Sequence, residues 1–222
     1  MGYQVKKVKK FGLWIKTLPH IIFLLPHEIN ELSKDTVVTR ADDQFFIVDD
    51  SSALGIFYLC IGIVLFFVTL FLWGESNTEI ILSASSFLIG SFYIIYKFTS
   101  PKKILILDRL NGIISFPGFL YGKAITMPFE EVLAAVKGGY GVGMATLAIL
   151  RKNKLMSTSY DFDLQFRPLQ SWSFMVWYMD KNRPLPPGEI FDPYRQKDYE
   201  RRKKEGFPKP LYQSWIATPE NP

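Results

Sequence analysis

The 222-residue chain has one cysteine, Cys60, and two histidines, His20 and His27. One thiol closes no intramolecular disulfide and builds no thiolate zinc cluster. Nucleophilic triads are equally out of reach, because Cys60 lies in an apolar run and both histidines lie in a proline-flanked arm. Charge is also scarce, but only locally. Residues 53–96 carry Glu75 and Glu79 and no other Asp, Glu, Lys or Arg, although the chain as a whole is 21% charged. That uneven distribution excludes a disordered chain, a disulfide-stapled secreted domain and a purely soluble globule.

What fills the uncharged block is hydrocarbon. Residues 53–73 read ALGIFYLCIGIVLFFVTLFLW, and residues 80–96 read IILSASSFLIGSFYIIY. About 20 apolar residues in helix cross a bilayer, so both segments are expected to span. The linker GESNTE, residues 74–79, is too short for anything but a helical hairpin. Ser86 and Gly90 make a small-xxx-small pair that would let two helices approach. Lys97, Lys102, Lys103 and Arg109 follow the block, Lys34 and Arg40 precede it, and the linker has no Lys or Arg. The positive-inside rule then places both termini in the cytoplasm, with a multi-pass topology.

The N-terminal arm, residues 1–52, opens with five lysines and no acid in its first 20 residues. A cleavable leader does not fit, because Lys16, Pro19 and His20 break the apolar run and no small-residue cleavage site follows. Two readings stay open: a basic amphipathic segment on an anionic leaflet, or packing of Trp14, Ile21, Phe23 and Leu24 on the rest of the protein. Residues 34–50, KDTVVTRADDQFFIVDD, read as two short strands around a polar turn.

From Lys102 onward the pattern is β-rich. KKILILDR alternates and meets a turn at Leu110-Asn111-Gly112; IISF and KAITMPF follow, then ATLAILRK and SYDFDLQF. A helix is expected from Pro168, with Leu169, Trp172, Met175, Val176 and Met179 at helical spacing. The expected fold class is therefore an α+β membrane protein: a two-helix transmembrane hairpin (53–96) plus a small antiparallel β domain with a C-terminal helix (102–182) and a proline-rich basic tail (183–222). The order ILDRLNGIISF…ITMPFEEV resembles the opening hairpins of bacterial pleckstrin-homology-like domains, over about residues 102–180. That resemblance implies a membrane-anchored scaffold or lipid-sensing module.

The tail stretch FDPYRQKDYERRKKEGFPKPLYQSW is the most distinctive in the chain. It is similar to the tail of a family of proteobacterial two-span membrane proteins whose gene context resembles that of type VI secretion immunity proteins. The resemblance implies a non-enzymatic protein that binds and neutralises a cognate toxin, or effector, and it brings no catalytic residues.

The remaining motifs have plainer accounts than chemistry. His20 and His27, seven residues apart, offer two metal ligands and no third, so no metal site is assigned. Asp161 and Asp163 share a strand face opposite Tyr160, Phe162 and Leu164, which makes them solvent carboxylates rather than an acid–base pair. The glycines of residues 138–143 lack the Lys-Ser/Thr of a phosphate loop and read as a bend between strands. No cofactor is expected. In the tail, Asp198, Glu200 and Glu205 flank Arg201–Lys204, a solvated helix with pairs such as Asp198–Arg202 and Glu200–Lys204 rather than a nucleic-acid face. RPLPPGEIF, residues 183–191, reads as a polyproline strap across Trp172, Trp177 or Tyr178. Partner anchors are sought among aromatics and arginines, namely Tyr140, Tyr194, Arg195 and Trp215. Lys123, Arg151, Lys152 and Lys154 are the corresponding choice for lipid headgroups. The sequence leaves self-association into a homo-oligomer open.

Overall fold

A computed structural model describes residues 6–10, 13–26, 28, 38–49, 51–71, 74, 76–118, 120–137, 146–150, 159–162 and 167–216. In chain order its elements are β1 (Lys6–Lys10), β2 (Leu13–Thr17), β3 (Ile21–Ile22), β4 (Val38–Ala41), β5 (Phe45–Asp49), α1 (Ser51–Phe71), α2 (Asn77–Thr99), β6 (Ile104–Asp108), β7 (Ile113–Phe116), β8 (Ile125–Pro128), β9 (Leu133–Lys137), β10 (Thr146–Leu150), β11 (Ser159–Phe162), α3 (Pro168–Met179), α4 (Asp192–Lys204) and β12 (Gln213–Ser214). The fold is α+β. A five-stranded sheet runs in the order β4-β5-β6-β7-β8, a three-stranded sheet in the order β11-β10-β9, and β1-β2 and β12-β3 form two short pairs. Two compact units result: Met1–Val48, Leu105–Pro117 and Ala124–Pro222 in the first, Asp49–Ile104 and Gly118–Lys123 in the second.

The first unit is organised by α3. Pro168 sits in its first turn, where a missing N–H costs nothing. Every residue from Ser171 to Met179 is buried. A helix apolar on all sides needs cover on all sides, and the sheets, the N-terminal segment and the tail provide it. Phe46 of β5 meets Phe174 and Tyr178 with ring centroids 4.9 and 5.6 Å apart, and Phe191 meets Tyr178 at 5.9 Å. The helix's polar atoms hold the incoming N-terminal chain. Trp172 Nε1 donates to the Pro19 carbonyl at 2.7 Å, and Ser173 Oγ accepts from the Phe23 and Leu24 amides at 3.0 and 3.2 Å. Ile22 and Phe23 are buried, so this part of the N-terminal segment packs on the protein.

The β6–β7 hairpin forms where the sequence places a turn. Gly112 takes φ 67°, a conformation that suits a residue without Cβ, and the Asp108 carboxylate accepts from the Asn111 amide at 3.2 Å. Strands β4 and β5 flank Asp42, whose carboxylate accepts from the Gln44 and Phe45 amides at 2.8 and 2.6 Å, an Asx turn. They extend the same sheet as β6, β7 and β8. Along the chain, α1 and α2 are thus inserted between two neighbouring strands, β5 and β6.

The tail is fastened by ions. Asp198 of α4, 1% exposed at its side chain, accepts from Arg109 Nη1 at 2.6 Å, Arg201 Nη2 at 2.9 Å and Arg202 Nε at 3.0 Å. Arg109, fully buried just after β6, also donates to the Arg183 carbonyl at 2.6 Å. Burial pulls the Arg109 guanidinium below its ordinary value, and the Asp198 carboxylate opposes that shift. Residues Asp198 and Arg202 make the expected i,i+4 pair, but both are buried; only the outer face of α4 is the solvated helix that the sequence suggests.

In the second unit α1 and α2 pack as an antiparallel pair, with their backbones in close contact. A Cβ on Gly62 would lie 3.0 Å from the Gly90 carbonyl oxygen, and one on Gly90 would lie 3.0 Å from that of Gly62. Ser86 and Gly90 are both buried, and Ser86 Oγ donates to the Leu65 carbonyl at 2.8 Å. Ser76 and Glu79 close a capping box that starts α2 at Asn77, and Pro101 follows its end.

The expectation of a two-helix transmembrane hairpin is corrected here. Among the described residues only α2 is long and apolar enough to cross a membrane. In α1 the apolar stretch Tyr58–Phe71 is shorter than the ~20 residues a crossing needs. The capping box at Ser76 and the run to Thr99 lengthen α2 beyond the expected residues 80–96, which is what makes it long enough. The placement of both termini on one side followed from two crossings and loses that basis.

Replacing Asp198 with Ala should lower unfolding free energy by about 3–5 kcal/mol, because the fully buried Arg109 loses its carboxylate. Lys197→Ala removes a pair with Asp43 whose lysine side chain is 72% exposed, and should cost under about 1 kcal/mol. Denaturant titration of the detergent-solubilised protein measures both.

Candidate binding surface

The segment after α3 crosses the first unit as a strap and a wrap. Asp180, fully buried, caps the turn beyond α3. Its carboxylate accepts from the Asn182 amide at 3.1 Å, Arg183 Nε at 3.1 Å, and the Leu211 and Tyr212 amides at 3.0 and 3.2 Å. Arg183 Nη2 reaches the Tyr212 carbonyl at 2.8 Å. The proline-rich strap lies against α3, where Trp177 Nε1 donates to the Pro184 carbonyl at 2.8 Å. From Tyr212 the chain enters β12, which pairs in parallel with β3: Gln213 with Ile21, Ser214 with Ile22.

Because β3 and β12 run the same way, the residues that follow each strand emerge together. Leu24 and Leu25 leave β3 at 42% and 60% exposure, and Trp215 leaves β12 at 52%. The Trp215 amide donates to the Ile22 carbonyl at 2.9 Å, and its ring stands edge-on to Phe23 with centroids 5.0 Å apart. A large aromatic is thus held by its backbone and one ring face, with the rest turned outward beside two exposed leucines. A second exposed aromatic pair lies at the end of α4, with Tyr199 and Phe207 centroids 5.5 Å apart.

The anchors expected from sequence fare differently. Trp215 is exposed on the wrap, as just described. Tyr194 is half-buried against the core. Arg195 is a clamp: its Nη1 donates to the Leu185 carbonyl at 3.0 Å, its Nη2 to those of Pro186 and Gly188 at 2.9 and 3.1 Å, and its Nε to Asp192 at 2.7 Å. Those bonds hold the strap and leave little of the guanidinium for a partner. Tyr140 lies outside the described residues. So do Arg151, Lys152 and Lys154 of the lipid set, the glycines of 138–143, His27 and Asp163, while Lys123 is exposed in the second unit. Sequence reasoning missed Leu24, Leu25, Tyr199 and Phe207 as surface groups. Their only signal was apolar character in polar or proline-flanked surroundings, which core residues share.

His20 sits among aromatics rather than at a ligand set. Its ring lies 5.1 Å from Phe129, 5.2 Å from Trp172 and 5.7 Å from Tyr212, stacked on the last, and Nε2 donates to the Phe129 carbonyl at 2.9 Å. Burial lowers its pKa below the ordinary 6.5, against the raising effects of that carbonyl and of Glu130. Among the described residues no three His, Cys, Asp or Glu side chains gather to hold a metal.

In the second unit the outward faces of both helices are apolar. Phe67, Leu70 and Phe71 of α1 and Ile81, Leu88 and Phe98 of α2 are all more than half exposed. An apolar surface of this extent needs cover from lipid or protein. Comparison with protein-family models, with curated proteins and with solved structures finds no match.

The burial of His20 has a measurable consequence. Its folded-state pKa lies below the unfolded one, so the unfolded chain takes up the proton first as pH falls. The stabilisation is present above about 6.5 and is lost as pH drops through the folded value. Thermal unfolding between pH 7.5 and 5.5 should show this fall in the native sequence, and His20→Gln should flatten it.

Proposed function

We propose that this chain is a non-enzymatic, membrane-contacting binding protein. Its second unit faces lipid, with α2 as the crossing helix, and its first unit presents the wrap to a protein partner. The observation that carries the reading is Trp215. The wrap around it is fixed by Asp180, Arg183 and the β12–β3 pairing, yet the indole and the adjoining Leu24 and Leu25 remain uncovered. A rigid, exposed aromatic with apolar neighbours is what interface hot spots are made of, and a preformed backbone spares the ordering cost of binding.

The resemblance of residues 191–215 to the tails of immunity-type membrane proteins supplies the partner: a cognate toxin of the type VI effector kind, met at a bacterial inner membrane. Neutralisation then consists of binding and blocking, and no bond is made or broken. The apolar outer faces of α1 and α2 support the membrane part of the reading, and the same stretch that carries the resemblance is the one that displays Tyr199, Phe207 and Trp215.

The test is co-purification of the full-length protein with the product of the adjoining gene, together with survival of cells that make that product. A complex and protection are expected. Trp215→Ala should weaken the complex by at least about tenfold, some 1.4 kcal/mol, without moving the unfolding midpoint of the free protein. Absence of both complex and protection would overturn the toxin assignment.

A further inference from the structure

Besides Asp49–Ile104, which carries both helices, the second unit contains the loop Gly118–Lys123. Several contacts fasten that loop to the C-terminal end of α2. Lys103 Nζ, on a side chain buried beyond α2, donates to the Gly118 carbonyl at 2.9 Å and to the Leu120 carbonyl. Thr99 Oγ1 donates its proton to the Ile95 carbonyl at 2.9 Å, so the Tyr121 hydroxyl, 2.5 Å away, is the donor to Thr99. The Tyr121 ring stands edge-on to Tyr96 at 5.1 Å. Gly118 is a site of close approach: a Cβ there would lie 2.3 Å from the Lys123 carbonyl oxygen and 2.4 Å from that of Gly122.

Fastening a loop this firmly leaves its outer surface in a defined place. Tyr121 is 49% exposed, and Lys102, Gly122 and Lys123 are exposed with it. One step back along α2 come Ile95 and Phe98, which are 58% and 76% exposed. Exposed apolar side chains, a tyrosine, the half-buried Lys97 and the exposed Lys102 and Lys123 thus gather at the C-terminal end of α2 and its loop. Residues 80–107 and 109–129 contain no Asp or Glu. At this end of the unit Asp49 accepts the Ser51 amide at 2.9 Å, and Asp50 lies outside the described residues.

We propose that the Gly118–Lys123 loop is a membrane-interface anchor, seating Tyr121 at the headgroup level and setting Lys97, Lys102 and Lys123 against anionic phospholipid. The proposal rests on the second unit facing lipid, as argued above. Charge selects the occupant: lysines in two stretches that contain no Asp or Glu, beside an apolar belt, match an anionic leaflet, and tyrosine is favoured where hydrocarbon meets headgroups. Lys103 has a different task. Its ammonium is spent on two loop carbonyls, so it positions the anchor rather than touching lipid.

The experiment uses the full chain with Cys60→Ser and a nitroxide on a single new cysteine, reconstituted in phosphatidylcholine vesicles with or without phosphatidylglycerol. Gly122→Cys and, as a second variant, Lys123→Cys report on the loop; Leu88→Cys, midway along α2, reports on the membrane reading itself. The label at 88 should lie in hydrocarbon and reach oxygen rather than a water-soluble nickel relaxant. The loop label should lie at headgroup depth and move deeper when phosphatidylglycerol is present. With the label at 122, Lys102→Gln together with Lys123→Gln should abolish that movement. A loop label as open to nickel as one at the exposed Lys203→Cys, with the label at 88 in hydrocarbon, would overturn the anchor and leave the membrane reading standing. A label at 88 in water would overturn both. Immersion of the loop that ignores phosphatidylglycerol would overturn the assignment of anionic lipid.

Discussion

One carboxylate decides how the tail meets the rest of the first unit. Asp198 holds Arg109, Arg201 and Arg202 at 2.6–3.0 Å, in a place where neither it nor Arg109 touches water. Such a cluster adds little net stability, since desolvation takes back much of the Coulomb gain. What it supplies is register. Any other rotation of α4 would strand the Arg109 guanidinium, and a stranded buried charge costs several kcal/mol. Asp180 repeats the device farther along by gathering the Arg183 side chain and the Leu211 and Tyr212 amides. Two buried aspartates thus fix where residues 180–215 run, and Trp215 inherits its position from them.

The same segment shows why a polar tail can be ordered. Phe191 is buried and Tyr194 and Tyr212 pack on the core, but Tyr199, Phe207 and Trp215 are about half exposed, so aromatics hold only part of it. The fastening is instead to carbonyls and carboxylates: Arg195 on three strap carbonyls, Trp177 on Pro184, Arg183 on Tyr212. Anchoring and display are done by different residues. Side chains that fasten the wrap are buried or engaged by carbonyls and carboxylates, while Tyr199, Phe207 and Trp215 are about half exposed.

Much of the local structure was legible in the sequence. The Asn-Gly turn, the alternation of ILILD and the apolar spacing after Pro168 correspond to β6, its hairpin and α3. These are features in which residues within a few positions of one another determine the outcome. The ionic cluster was not legible. Asp198 and Arg202 look like a surface i,i+4 pair, and only Arg109, 89 positions away, reveals that they are buried. The helix ends were misjudged for a related reason. An apolar run was taken as the measure of the helix, but caps set the limits, and Ser76 with Glu79 recruits polar residues into α2 that hydropathy leaves out.

Arg195 is the sharpest case of residue type misleading about role. Arginine is enriched in hot spots because a planar fork desolvates easily and satisfies several acceptors at once. Those same properties suit it to stitch together a proline-rich strap by its carbonyls at Leu185, Pro186 and Gly188. In this chain the internal acceptors at Leu185, Pro186 and Gly188 lie closer than any partner could. Tryptophan at 215 is 52% exposed, beside Leu24 and Leu25 at 42% and 60%. That apolar surface is open to a partner where the Arg195 guanidinium is engaged by its own chain, and the proposed binding reading rests on it.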